Sequence, residues 1–233
     1  MKVFQYLLFC ITLLTFTSCV YNNLNRNHYL LSPDESLSLT LHGDQKNISY
    51  SLIKNGNTLI NQSKLGIVAD QFEFANDIQI ENITRSRNNT TWTQVWGEQK
   101  EIADHHNELA VQLTSNSNDI QMIIRFRLFN DGLGFRYEIP EHTELNEFKI
   151  LDELTEFNFA EDATSWWIPA YSYRRFEFLY ANTLISEISR DTYSKLVENL
   201  NGPRLGPEAV HTPFTVQRND GICIAIHEAN LMN

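Results

Sequence analysis

The chain has 233 residues, 42% of them hydrophobic, and a formal net charge of −11 at neutral pH, with a pI of about 5. Such an acidic surface repels phosphate backbones, which excludes nucleic acid as the natural partner, and the apolar content is that of a globular fold. Cys10 and Cys19 lie near the start and Cys223 stands apart near the other end, which excludes a disulfide framework inside the folded part.

Residues Met1 to Cys19, MKVFQYLLFCITLLTFTSC, place one lysine ahead of an apolar run from Val3 to Leu14 and close in small polar residues and a cysteine. That is the pattern of an export signal. Its apolar run is short of the ~20 residues that a membrane span requires, and no later stretch approaches that length. Phe16-Thr17-Ser18-Cys19 is similar to a bacterial lipoprotein cleavage site, in which Cys19 becomes the lipidated first residue; ordinary cleavage near Ser18 is the alternative. Residues 20–28, VYNNLNRNH, then read as a polar tether. The protein is expected in the periplasm or on the outer membrane, touching lipid only through its anchor.

Residues 29–233 carry no repeat, low-complexity tract or proline-rich linker and are expected to form one domain. Leu37-Ser38-Leu39-Thr40-Leu41 alternates strictly, His42-Gly43-Asp44 turns into Ile48 to Ile53, and Asn55-Gly56 is a hairpin turn leading into Thr58-Leu59-Ile60. A second hairpin runs from Gln121 to Phe129, through Asn130-Asp131-Gly132, to Leu133 to Ile139. Strand patterning continues in Phe148 to Ile150, Thr155 to Phe159 and Phe214 to Gln217. Asp191 to Asn201 alone has helical spacing, capped by Asp191 at its start and Gly202 at its end. The sum is an all-β protein, a large antiparallel super-sandwich with at most short helices.

The closing stretch, Gly221 to Leu231, is GICIAIHEANL. Ile222, Ile224 and Ile226 project to one face of a strand and Cys223, Ala225 and His227 to the other, which predicts an interior strand and makes Cys223 a small core residue. Glu228 falls at the exit, where a carboxylate must find a cation, donors or solvent.

Other candidates divide between chemistry and packing. Trp92, Trp96, Trp166 and Trp167, with Tyr171 and Tyr173, supply flat faces on which sugars stack, and Glu98, Asp104 and Glu108 can accept sugar hydroxyls; filling the core or covering a partner-facing surface is the alternative. Adjacent strand residues cannot both point inward, so one of Trp166 and Trp167 must face a partner, a ligand or solvent. His105 and His106 point to opposite faces of a strand and cannot chelate a metal together there. Glu153 and Glu156 resemble a glycosidase pair only in composition, and a structural role fits them better. Arg125, Arg127 and Arg136 are expected to pair across strands with Glu138.

Eight segments resemble, in order, the amino-terminal domain of glycoside hydrolase family 97, a bacterial family of α-glucosidases and α-galactosidases. They are SPDESLSLTL (32–41), SKLGI (63–67), WTQVWGEQKEIADHHNEL (92–109), FRLFNDGLGFRYEIP (126–140), ELTEFNF (153–159), WWIPA (166–170), Thr212-Pro213 and IHEANL (226–231). The resemblance implies a β super-sandwich that normally precedes a catalytic (β/α)8 barrel and a small β-domain. It implies no catalytic residue in this chain, because the family's acid, base and nucleophile belong to the barrel. Glu228 matches the glutamate that reaches from this domain to a Ca²⁺ at the barrel's active site, so calcium is expected as a cofactor of the complete enzyme and α-linked glucosides or galactosides as substrates. The competing reading is a stand-alone surface lipoprotein that binds carbohydrate. Under the first reading, Trp166, Trp167, residues 171–178 and the surroundings of Glu228 should form one exposed apolar patch.

Overall fold

The computed structural model describes residues 27–43, 47–115, 119–142, 145, 147–170, 178–196 and 208–228. The export signal, Cys19, Tyr171, Tyr173 and Gly202 lie outside the described residues. The chain divides into two compact units, Met1–Asn158 and Phe159–Asn233. No helix among the described residues is long and apolar enough to cross a membrane.

In the first unit, β1 (His28–Leu31), β2 (Leu37–Gly43), β3 (Ile48–Lys54) and β4 (Asn57–Leu65) form an antiparallel meander. The alternation read in β2 is realised, with Leu37, Leu39 and Leu41 all buried. Asn55 and Gly56 take φ of 48° and 83°. Two consecutive left-handed residues are what the twist of a two-residue hairpin requires.

After the short β5 (Ile67–Ala69) come β6 (Ile78–Thr93), β7 (Glu101–Ser115), β8 (Gln121–Leu128) and β9 (Leu133–Glu138), a second four-stranded antiparallel sheet in that order. Its inner face is Ile78, Ile80, Leu109, Val111, Leu113, Met122, Ile124 and Phe126, all buried. The two sheets meet through aromatic rings: Tyr50 of β3 lies 5.8 Å from Phe135 of β9 and 6.5 Å from Phe157. β10 (Ile150–Glu153) pairs with β5. The expected strand from Thr155 to Phe159 is extended chain along β4, where the N–H groups of Leu154 and Glu156 donate to the carbonyls of Gly66 and Lys64, each at 2.9 Å.

Gly66, between β4 and β5, has no room for a side chain. A Cβ there would stand 2.7 Å from the Phe74 carbonyl oxygen and 3.3 Å from the Ala75 Cα, both main-chain atoms that cannot swing aside. Its N–H donates to the Tyr137 hydroxyl at 3.1 Å, which donates to Thr155 Oγ1 at 2.7 Å, which donates to Glu153 at 2.8 Å. Burial pushes the Tyr137 hydroxyl up to about 12, so it stays a donor across the working pH range. Gly66→Ala is expected to cost about 2–3 kcal/mol, because it forces main chain apart in a packed corner. A urea midpoint unchanged by the substitution would show that the corner yields freely.

In the second unit, β11 (Thr164–Trp167), β12 (Ala181–Leu184), β13 (Phe214–Gln217) and β14 (Cys223–Ile226) form an antiparallel sheet ordered β12-β11-β13-β14. Ala163, Trp167, Ala181, Tyr193, Phe214 and Val216 make its core. Tyr193 comes from α1 (Arg190–Leu196) and donates its hydroxyl to the Leu179 carbonyl at 2.8 Å. The predicted cap at Asp191 is two residues late. Ser189 Oγ accepts the Thr192 N–H at 3.1 Å, so the serine ahead of the first turn is the cap.

The interior placement of the closing strand is corrected. Among the described strands β14 is at the edge of its sheet, with Cys223 and Ala225 exposed and Ile224 and Ile226 half-buried. Cysteine and alanine carry so little apolar area that leaving them wet costs little, and the isoleucines decide which face turns inward. Cys223 is therefore not a core residue.

Candidate functional site

Two bonded neighbours set the second unit's sheet. Trp167 points to the core, only 1% exposed, its indole N–H donating to Thr183 Oγ1 at 3.0 Å and its ring 5.5 Å from that of Tyr193. Trp166 points to the opposite face, half-buried, with Asn182 and Thr215 as its cross-strand partners. Trp167 is thus a core residue and not a sugar or interface contact, so the expected single patch holding both tryptophans does not exist.

Glu228 follows β14 by two residues and is exposed, as is His227. It makes no hydrogen bond or ion pair with another described residue. No group of three or more His, Cys, Asp or Glu able to hold a metal occurs among the described residues. Calcium takes six to eight oxygen ligands and one carboxylate supplies one or two. The described residues therefore gather no calcium site, and Glu228 would fit only as a single donor to an ion that other groups hold.

Glu108, Asp104, Glu153 and Glu156 are committed to structure. Glu108 on β7 accepts from Arg125 Nη1 at 2.6 Å and Arg127 Nε at 2.9 Å, and Arg125 also grips Glu138 with two bonds of 2.7 and 2.9 Å. Arg136 donates to the same Glu138 at 2.7 Å. The expected cross-strand pairing is present and extends to Glu108, which is no longer a candidate for sugar hydroxyls. Burial works to raise the Glu108 carboxyl, but the bonds from Arg127 and Arg125 more than reverse this and hold it below its ordinary value. Hydrogen bonds from Arg125 above all, against opposing burial, take Glu138 down to about 2.

Asp104 bonds His106 Nδ1 at 2.6 Å and takes the Asn88 amide at 2.8 Å. His106 is buried beside the Phe129 ring while His105 is exposed, so the two histidines do face apart. Glu156 accepts from the Lys64 N–H and from Asn158, and Glu153 ends the hydroxyl relay from Gly66, which makes both structural. Trp92 and Trp96 belong to neither core. They stand in solvent at the end of the β6–β7 hairpin, and Glu98 is exposed there too. Aromatic content alone left their placement open; the polar run ThrArgSerArgAsnAsnThrThr ahead of Trp92 was the signal that this strand leaves the core.

Residues 30–233 match the family described as glycosyl-hydrolase 97 N-terminal. The chain belongs to that family. A family 97 enzyme from a Pseudoalteromonas species, solved as a variant with panose and separately with acarbose, is 35% identical with a TM-score of 0.73. The match covers 88% of this chain and 28% of that one, so this family 97 domain spans under a third of the length of the enzyme it resembles. A β-arabinopyranosidase, at 19% identity and a TM-score of 0.71, shares the fold. The family 97 N-terminal domain described here is an all-β sandwich in which Glu98 and Glu228 are both exposed carboxylates.

Proposed function

We propose that this domain is the non-catalytic front part of an exported glycoside hydrolase acting on α-linked glucosides or galactosides. It supports an active site carried by a (β/α)8 barrel elsewhere in such an enzyme, and Glu228 contributes one calcium ligand there. Cys19 carries the lipid that holds it at the outer membrane. The observation that supports this reading most directly is the family match over residues 30–233 together with the 28% share of the solved enzyme. The exposure of Glu228 at the end of β14 agrees with it.

The chain by itself is expected to leave aryl α-glucosides and α-galactosides intact and to bind calcium, measured by calorimetry, no tighter than millimolar, since one carboxylate leaves most of the ion's shell to water. Hydrolysis by the purified chain, or tight calcium binding lost in Glu228→Gln, would defeat the proposal. The exposed Trp92 and Trp96 favour a second reading, a stand-alone carbohydrate-binding lipoprotein. Under it the chain alone binds maltooligosaccharides and loses them in Trp96→Ala.

A further inference from the structure

The outer end of the β6–β7 hairpin differs from the rest of the surface. β8 pairs with β7 only from Asn107 to Thr114, so Asn88–Thr93 and Glu101–His106 are paired as strands only with each other. Six residue pairs at about 3.3 Å carry this two-stranded ribbon roughly 20 Å past the third strand. At its tip Trp92 is 52%, Val95 98% and Trp96 87% exposed. Single wet apolar residues are ordinary, but two indoles and a valine gathered on one tip are not.

The loop that holds them is fixed. The Gln94 N–H donates to the Lys100 carbonyl at 3.1 Å, and the Gln94 side-chain amide donates to the Gln99 carbonyl. Gly97 sits at φ 143° with that amide so close that a Cβ would meet its nitrogen at 2.5 Å. A turn built around glycine and locked by a glutamine keeps the apolar side chains on display, which is pre-organisation for a contact.

We infer that this tip docks into an apolar recess of the polypeptide that completes the enzyme, the portion of the solved relative's length that this chain does not span. The inference rests on the front-domain reading. Tryptophan is the residue most enriched at the energetic centres of protein interfaces, and a ribbon extending past its sheet reaches a neighbouring body. Glu98, Lys100 and Glu101 leave the tip with no net positive charge, which disfavours an anionic lipid surface. Val95, between the indoles, has no face on which a sugar ring can stack, and a chain of net charge −11 repels its own copies.

The test is hydroxyl-radical footprinting of Trp92 and Trp96 in the full chain alone and in a fusion where residues 30–233 replace the matching stretch of the Pseudoalteromonas enzyme. Rapid oxidation of Trp96 in the chain alone and roughly tenfold protection in the active fusion are expected. Trp92→Ala with Trp96→Ala should lower the melting temperature of the fusion by roughly 5 °C and leave that of the chain alone unchanged. An active fusion whose Trp96 stays as reactive as in the chain alone overturns the docking and leaves the front-domain reading standing. An inactive fusion counts against that reading, and the docking falls with it. Protection of Trp96 in the chain alone, by maltoheptaose or by raised protein concentration, assigns the tip to a sugar or a second copy instead.

Discussion

Trp167→Ala is expected to lower the stability of the Phe159–Asn233 unit by about 4 kcal/mol, while Trp166→Ala beside it costs about 1 kcal/mol or less. The two residues have the same chemistry and adjacent positions, so the difference isolates burial. Trp167 fills the middle of a small core, against Tyr193 and with Phe214 and Val216 in the same cluster, and its removal leaves a hole that main chain held in a sheet cannot close. It also withdraws the donor to Thr183 Oγ1, though that hydroxyl itself donates to the Leu184 carbonyl and is not orphaned. Trp167→Phe keeps most of the volume and should fall between the two. Net domain stabilities are about 5–15 kcal/mol, so the alanine variant consumes much of what a unit this small has. Calorimetry should show an early transition appearing beside an unshifted one from Met1–Asn158. Equal losses for both tryptophans would mean that Trp167 is not the core of its unit.

Glu108→Gln should cost about 2–3 kcal/mol, because it removes charge from the middle of a ladder of like-charged groups. Arg125 faces Arg136 directly across β8 and β9, and Arg127 faces Glu108 across β7 and β8. Three guanidinium groups are held side by side by two carboxylates, and the variant leaves three against one. Arg127→Ala should cost less, about 0.5–1 kcal/mol, since its side chain is 45% exposed.

The same cluster sets an acid sensitivity whose direction follows from the depressed carboxyls. Glu138, at about 2 in the folded protein against an ordinary value of 4.5, contributes stability that is complete above 4.5 and lost as pH falls toward 2. With its side chain partly exposed, solvent screening leaves about 1–2 kcal/mol of this. Glu138→Gln should therefore flatten the fall in stability between those pH values; a slope identical to that of the unsubstituted protein would exclude this carboxyl as its source.

Much of the first unit is legible in sequence because its strands obey one rule at a time. Leu37, Leu39 and Leu41 alternate with polar residues and Asn55-Gly56 fixes the register that follows, so pattern and turn agree. β6 was not legible: from Thr84 to Thr91 it is polar at every position and its own side chains are exposed or half-buried, so hydrophobic periodicity has nothing to mark. β14 misleads in the opposite direction. Its small apolar residues on the outward side imitate a buried strand, and sequence carries no sign that, among the described strands, it lies at the sheet's edge. Glu228 was legible as a polar exit, but whether it faces solvent depends on what flanks the sheet. The helix cap was missed because Ser189 and Asp191 are both good capping residues and only the backbone path chooses between them.

The four tryptophans are split between the units by environment as well as by position. Trp92 and Trp96 already sit in water, so unfolding Met1–Asn158 changes their surroundings little, whereas Trp167 passes from a dry cluster into solvent. Intrinsic indole emission is therefore a one-sided reporter in this protein. Its red shift on denaturation tracks Phe159–Asn233 and is nearly blind to the larger sandwich, whose melting must be followed through the tyrosine and peptide absorbance bands.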